Sequence, residues 1–85
     1  MPDSEQLRNE LAEWISEILL VQVDPARDDA AFVADYGADS MDIVDIVEKV
    51  EKKYAVTIRN DEVGSVRTFG DLSKMIFRKK GERHS

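Results

Sequence analysis

Three stretches of this chain place apolar residues three and four positions apart, and that spacing dictates helices. Leu7, Leu11, Ile15, Ile18 and Leu19 make the first stripe, with Trp14 at its flank. Ile43, Ile46, Val47, Val50 and Tyr54 make the second, and Phe69, Leu72, Met75 and Ile76 the third. Residues so spaced share one face of an α-helix, so each stretch has a side to bury. The second is rich in β-branched residues and invites reading as a buried strand. Strict alternation is absent, however, and the helical period fits better.

Punctuation agrees with three main helices. Asp3 or Ser4 can cap the first, expected over roughly residues 4–21, and Asp3 with Gln6 has capping-box spacing. Asp24-Pro25 breaks it. The second starts at Asp39 or Ser40, and Asp45–Lys49 and Glu48–Lys52 are i, i+4 pairs in the favourable order. Val56-Thr57-Ile58 is an extended link, and Asn60 to Ser65 can make one turn ending at Gly64. Thr68 and Asp71 have the spacing of a capping pair for the last helix.

The expected fold is all-α: a small antiparallel bundle of three main helices plus one short helix. A long loop over residues 24–38 joins the first two helices, and loops of that length are usually functional or tied down. Phe32, beside Val33, is expected to plug the core and anchor it. Residues 1–77 are read as one domain, and residues 78–85 as a basic, disordered tail.

Composition narrows the chemistry. The chain has no cysteine, so disulfides, thiolate metal sites and cysteine nucleophiles are excluded; a thiol would have to arrive on an attached group. Asp24 to Asp35 has the length of a calcium loop, but Asp29 stands where glycine is required and Ala26 where an oxygen ligand belongs. The single histidine, His84, lies in the tail, so no Ser/His/Asp set can be built. Neither a metal site nor catalytic residues are expected.

The net charge of −6 argues against nucleic acid as partner and favours a partner with a basic surface. Charge is uneven: residues 1–34 carry −6, residues 35–62 carry −4, and residues 63–85 carry +4. No apolar run approaches a membrane span, and Met1–Asn9 lacks the order of a signal peptide, so a cytoplasmic location is expected.

One segment carries chemistry. Gly37-Ala38-Asp39-Ser40-Met41-Asp42 sits where loop becomes helix. A serine in a first turn is exposed, and the helix N-terminus offers unpaired N–H groups and a positive dipole end to an anion. Gly37 permits a sharp turn, and Asp39 caps. Met41 and Val44 add an apolar contact surface, with Asp42 and Asp45 as an acidic rim. An Asp-Ser pair alone would usually be only a cap.

The longer string, Phe32-Val33-Ala34-Asp35-Tyr36-Gly37-Ala38-Asp39-Ser40-Met41-Asp42, closely resembles the prosthetic-group segment of type II acyl carrier proteins. The resemblance runs on through Val50-Glu51-Lys52-Lys53-Tyr54, Thr57-Ile58, Asp61-Glu62 and Thr68-Phe69-Gly70-Asp71-Leu72, covering about residues 4 to 77. It implies that a phosphopantetheinyl transferase attaches 4′-phosphopantetheine from coenzyme A to Ser40, and that acyl chains ride on the arm as thioesters.

It also implies docking, by a monomer, to acyl-loading and chain-elongating enzymes with basic patches. Asp39, Met41, Asp42, Val44, Asp45 and Glu48 are the docking candidates. Phe32, Ile46, Val47, Val50, Tyr54 and Ile58 are core residues that would also line an acyl-chain cavity. The pathway would be of fatty-acid or polyketide type. The alternatives are a peptidyl carrier loading amino acids and a carrier-like interaction module that never bears the arm.

Departures from the family pattern leave the pathway open between a housekeeping and a specialised carrier. Tyr36 stands where leucine is usual, Glu48 where an apolar residue near the cavity mouth is common, and Arg59 where proline follows the isoleucine. Lys49, Lys52 and Lys53 make the second helix less acidic.

Overall fold

The computed structural model describes residues 4–82, and it is all-helical: α1 (Ser4–Leu19), α2 (Ser40–Tyr54), α3 (Asn60–Val63) and α4 (Phe69–Glu82). The three long helices pack pairwise, and α3 is the expected single turn before Gly64. Leu11, Ile15, Phe32, Ile46, Val50, Phe69, Leu72 and Ile76 are fully buried at the centre. Each such side chain contributes about 1.5–3 kcal/mol of burial. The stripes read from the sequence therefore point where their spacing requires.

Two boundaries differ from expectation. α1 ends at Leu19, because Leu20 turns left-handed (φ 58°) and sends the chain back along the bundle. The return is stabilised by Ser16: its hydroxyl donates to the Ala12 carbonyl (2.5 Å) and accepts from the Val23 N–H (3.0 Å), while Val23 is buried. α4 runs through Glu82, so residues 78–82, assigned to the tail, are helical. Lys79 donates to Glu62 of α3 (2.9 Å), Arg78 lies 3.6 Å from the same carboxylate, and Lys80 sits 5.6 Å over the Tyr54 ring. Residues 83–85 with His84, and the Asp3 cap of α1, lie outside the described residues.

Lys79 also belongs to a small electrostatic clasp. The Arg59 N–H donates to Glu62 (3.0 Å), and this bond, together with Lys79, holds the Glu62 carboxyl below its ordinary range.

The long loop is bound to the start of α4 by its main chain. The Phe32 N–H donates to the Arg67 carbonyl (3.0 Å), the Phe69 N–H to Ala30 (3.0 Å) and the Gly70 N–H to Asp28 (2.9 Å). Ala31 and Thr68 face each other there in an isolated antiparallel bridge. Arg8 of α1 forms an ion pair with Asp28, tying the same point to a second helix. The Tyr36 hydroxyl accepts from the Asp24 N–H (3.3 Å), which gives this polar anchor a partner. Phe32 closes the arrangement from beneath, as expected.

Gly70 makes the close approach feasible. A Cβ there would lie 2.8 Å from Asp28 Cβ and 2.9 Å from its carbonyl oxygen. Gly70→Ala must therefore push the loop off α4, at a cost of about 1–3 kcal/mol or roughly 5–15 °C in melting temperature. Gly64 is right-handed and meets only the Asp61 carbonyl, at 3.9 Å, so Gly64→Ala should leave melting unchanged or slightly raised. Thermal melts followed by circular dichroism check the contrast; equal melting of the two variants would remove Gly70 from this role.

Candidate functional site

The start of α2 is built by three residues that precede or open the helix. Gly37 takes φ +71°, with nothing within 4 Å of a notional Cβ, and turns the chain toward the bundle. Ala38 is buried and seats the turn. Asp39 is the N-cap: its carboxylate accepts from the Asp42 N–H (2.9 Å), and Asp42 returns the bond by accepting from the Asp39 N–H (3.1 Å). This reciprocal box fixes the angle at which α2 begins.

Ser40 is the first residue of the helix and is exposed. Its hydroxyl has no hydrogen-bond partner among the described residues, and the N–H groups of Ser40 and Met41 are likewise left open by the box. An exposed hydroxyl thus stands beside two free donors at the positive end of a helix of 15 residues. That arrangement suits an esterified phosphate.

The docking candidates divide. Asp39, Met41, Val44, Asp45 and Glu48 are exposed around and below Ser40, with Met41 70% and Val44 45% accessible. Asp42 is half-buried and already engaged in the cap, a structural role that its reading as a rim residue missed. Its Asp–x–x–Asp spacing from Asp39 was the available signal. Glu48 lies on the outer face with the other docking candidates, because it sits seven positions after Met41 and points the same way. The i, i+4 pairs Asp45–Lys49 and Glu48–Lys52 do not close to ion-pair distance. Fully exposed pairs gain too little to order two long side chains.

The interior candidates come together. Phe32, Ile46, Val47, Val50, Tyr54 and Ile58 are all buried in one cluster. A groove of about 320 Å³ lies elsewhere, between α1 and α4, lined by Leu7, Arg8, Ser73, Lys74, Phe77 and Arg78; none of the six lines it. Among the described residues no cluster of His, Cys, Asp or Glu could hold a metal, and no helix is long and apolar enough to cross a membrane.

Residues 7–76 match the family model described as the phosphopantetheine attachment site. The chain is 37% identical to an acyl carrier protein of Sulfurovum sp. (strain NBC37-1), across 82% of its own length and 93% of that protein's. This chain belongs to the acyl carrier protein family. An acyl carrier protein of Wolinella succinogenes is 32% identical over 80% of this chain and 90% of the relative. The crystal structure of an acyl carrier protein from Thermotoga maritima superposes with a TM-score of 0.81 at 25% identity, covering 94% of this chain and 93% of that one. The family's cofactor is covalently attached 4′-phosphopantetheine, and its members serve acyl biosynthesis as carriers and not as enzymes.

Tyr54, at the end of α2, is more than a packing residue. Its hydroxyl donates to Glu10 of α1 (2.6 Å) and accepts from the Trp14 indole N–H (3.4 Å). Burial first, and then the bond to the Glu10 carboxylate, push the phenol up to about 12, against a smaller opposing effect of Trp14. The folded value exceeds the unfolded one of about 10, so the protonated phenol favours the fold. That contribution is complete below pH 10 and is lost as pH rises through about 12. Urea unfolding at intervals from pH 9 to 12 should show stability falling across this window, with Tyr54→Phe falling less steeply. Parallel pH profiles of the two proteins would contradict the assignment.

Proposed function

We propose that Ser40 is the residue to which the 4′-phosphopantetheine arm is attached. The observation that carries this is the free, exposed Ser40 hydroxyl at the capped start of α2, beside the open N–H groups of Ser40 and Met41. The residues present fit the group: no side chain overhangs the hydroxyl with a hydrogen bond, and the phosphate charge meets the favourable end of the helix dipole. Once bound, the arm supplies the thiol that this cysteine-free chain lacks.

The chain's own residues do the rest. The reciprocal cap keeps the Ser40 hydroxyl facing outward, so that its oxygen can form the ester bond to the pantetheine-bearing phosphorus of coenzyme A; the pyrophosphate bond breaks, adenosine 3′,5′-bisphosphate leaves, and the hydroxyl proton is lost to the transferase or solvent. A phosphopantetheinyl transferase is the first partner; acyl-loading and chain-elongating enzymes with basic patches are the others. Asp39, Met41, Val44, Asp45 and Glu48 form the docking surface, with Asp42 shared between cap and rim. The chain acts as a monomer in the cytoplasm, in fatty-acid or polyketide-type synthesis.

Phe32, Ile46, Val47, Val50, Tyr54 and Ile58 shelter the acyl chain when the helices part. These six side chains are packed and buried, so entry of a chain requires α2 to move away from its neighbours.

Intact-mass measurement tests the attachment. With coenzyme A and a broad-specificity transferase the protein should gain the mass of one arm, and Ser40→Ala should gain none. A wild-type mass that stays constant while a control carrier is modified would overturn the reading. The octanoyl-loaded form should then melt several degrees above the bare-arm form, from a net gain of about 1–3 kcal/mol. Identical melting would leave the attachment standing and remove the sheltering role.

A further inference from the structure

The exposed ridge of α2 changes charge halfway along its length. Met41, Asp45, Glu48 and Lys52 follow one another at intervals of three and four, so they form a single outward line, and Val44 and Lys49 flank it. All six are exposed. The half next to Ser40 is apolar and acidic; the half beyond Glu48 is basic.

These charges are not spent on one another. Asp45, Glu48, Lys49 and Lys52 have the spacing for intrahelical pairs, yet among the described residues none has an ion-pair partner. Several other cations are committed, Arg8 to Asp28, Arg27 to Asp29, Arg59 to Asp61, and Lys79 and Arg78 to Glu62, while Lys53, Arg67 and Lys74 share the unpaired state among the described residues. The ridge therefore offers both signs of charge to whatever lies against it.

Resting on the reading of α2 as the docking helix, we propose that Lys49 and Lys52 select partners whose docking surface carries both a basic and an acidic patch. The basic patch faces Asp45 and Glu48 near the entrance for the arm. The acidic patch lies about 14–18 Å from the Ser40 position along the helix axis, at 1.5 Å per residue. A partner basic throughout would meet two uncompensated lysines, and like charges brought together suppress the wrong pairing. A protein surface fits better than a lipid one. The exposed large apolar side chains of α2, Met41 and Val44, lie in its acidic half, so the lysine half has nothing large to insert into a membrane.

The test uses the full-length Ser40→Ala chain, labelled with ¹⁵N, so that the arm plays no part and attachment is judged separately by mass. Two synthetic helical peptides serve as probes at low ionic strength: one with a lysine-rich half and a glutamate-rich half, and one of equal length with lysine throughout. The mixed peptide should shift amide signals from Met41 to Lys52 and bind more tightly than the lysine peptide. Lys49→Glu/Lys52→Glu should weaken the mixed peptide about tenfold and reverse the preference. A melting curve equal to that of the parent confirms that this variant is folded. Unchanged affinity of the double variant for the mixed peptide would overturn the inference. So would loss, in that variant, of binding to phosphatidylglycerol vesicles while both peptides bind the two proteins alike, which would give the lysines to a lipid surface.

Discussion

The main-chain contact between the long loop and the first residues of α4 is the constraint on which the rest of this molecule depends. A connection running from Leu20 to Asp39 without a helix of its own would cost considerable conformational entropy and would leave the start of α2 unplaced. Three backbone hydrogen bonds, from Phe32, Phe69 and Gly70, hold it in place, and Phe32 fills the space beneath. Backbone groups must also find partners when covered, so the same bonds satisfy donors that burial would otherwise strand. From that pinned segment only a short stretch through Gly37 and Ala38 leads to Asp39. Ser40 is thus presented from a braced platform, even though it opens a helix after a loop.

The second organising feature is the separation of chemistry along α2. Its inner side contributes Ile46, Val47, Val50 and Tyr54 to the core, while Asp45, Glu48, Lys49 and Lys52 on its outer side have no ion-pair partner among the described residues. One helix thereby holds the bundle on one side and, in the reading proposed for it, meets other proteins on the other. The exception is Asp42, whose carboxylate completes the cap. Its charge cannot be altered without loosening the helix start, so Asp45 reports on docking more cleanly than Asp42.

Local patterns made much of this legible. The three apolar stripes specified the helices, the Thr68/Asp71 pair indeed caps α4 through reciprocal bonds of 3.1 Å, and Gly37 has the positive φ its position suggested. What escaped notice depends on residues distant in sequence. Trp14 and Tyr54 are 40 positions apart and meet only when α1 packs on α2, so Trp14 read as a flank residue rather than a buried donor. Gly70 looked like one more family residue until Asp28 was found pressed against it. The length of α4 depended on Glu62 and Tyr54 receiving the cations of its last turns, which no window of sequence contains. The exposed line of α2 was legible from periodicity, but its unpaired state was not, since i, i+4 spacing had suggested the opposite.

Native-state hydrogen exchange tests the central claim, that the loop is part of the cooperative core and holds the Ser40 end of α2 in position. The amides of Phe32, Phe69 and Gly70 donate the three cross-connecting bonds and can be followed one by one. They should exchange as slowly as the buried amides of α1 and α2, through global unfolding alone. Exchange of these three amides by a low-energy local opening, while α1 and α2 remain protected, would contradict the claim.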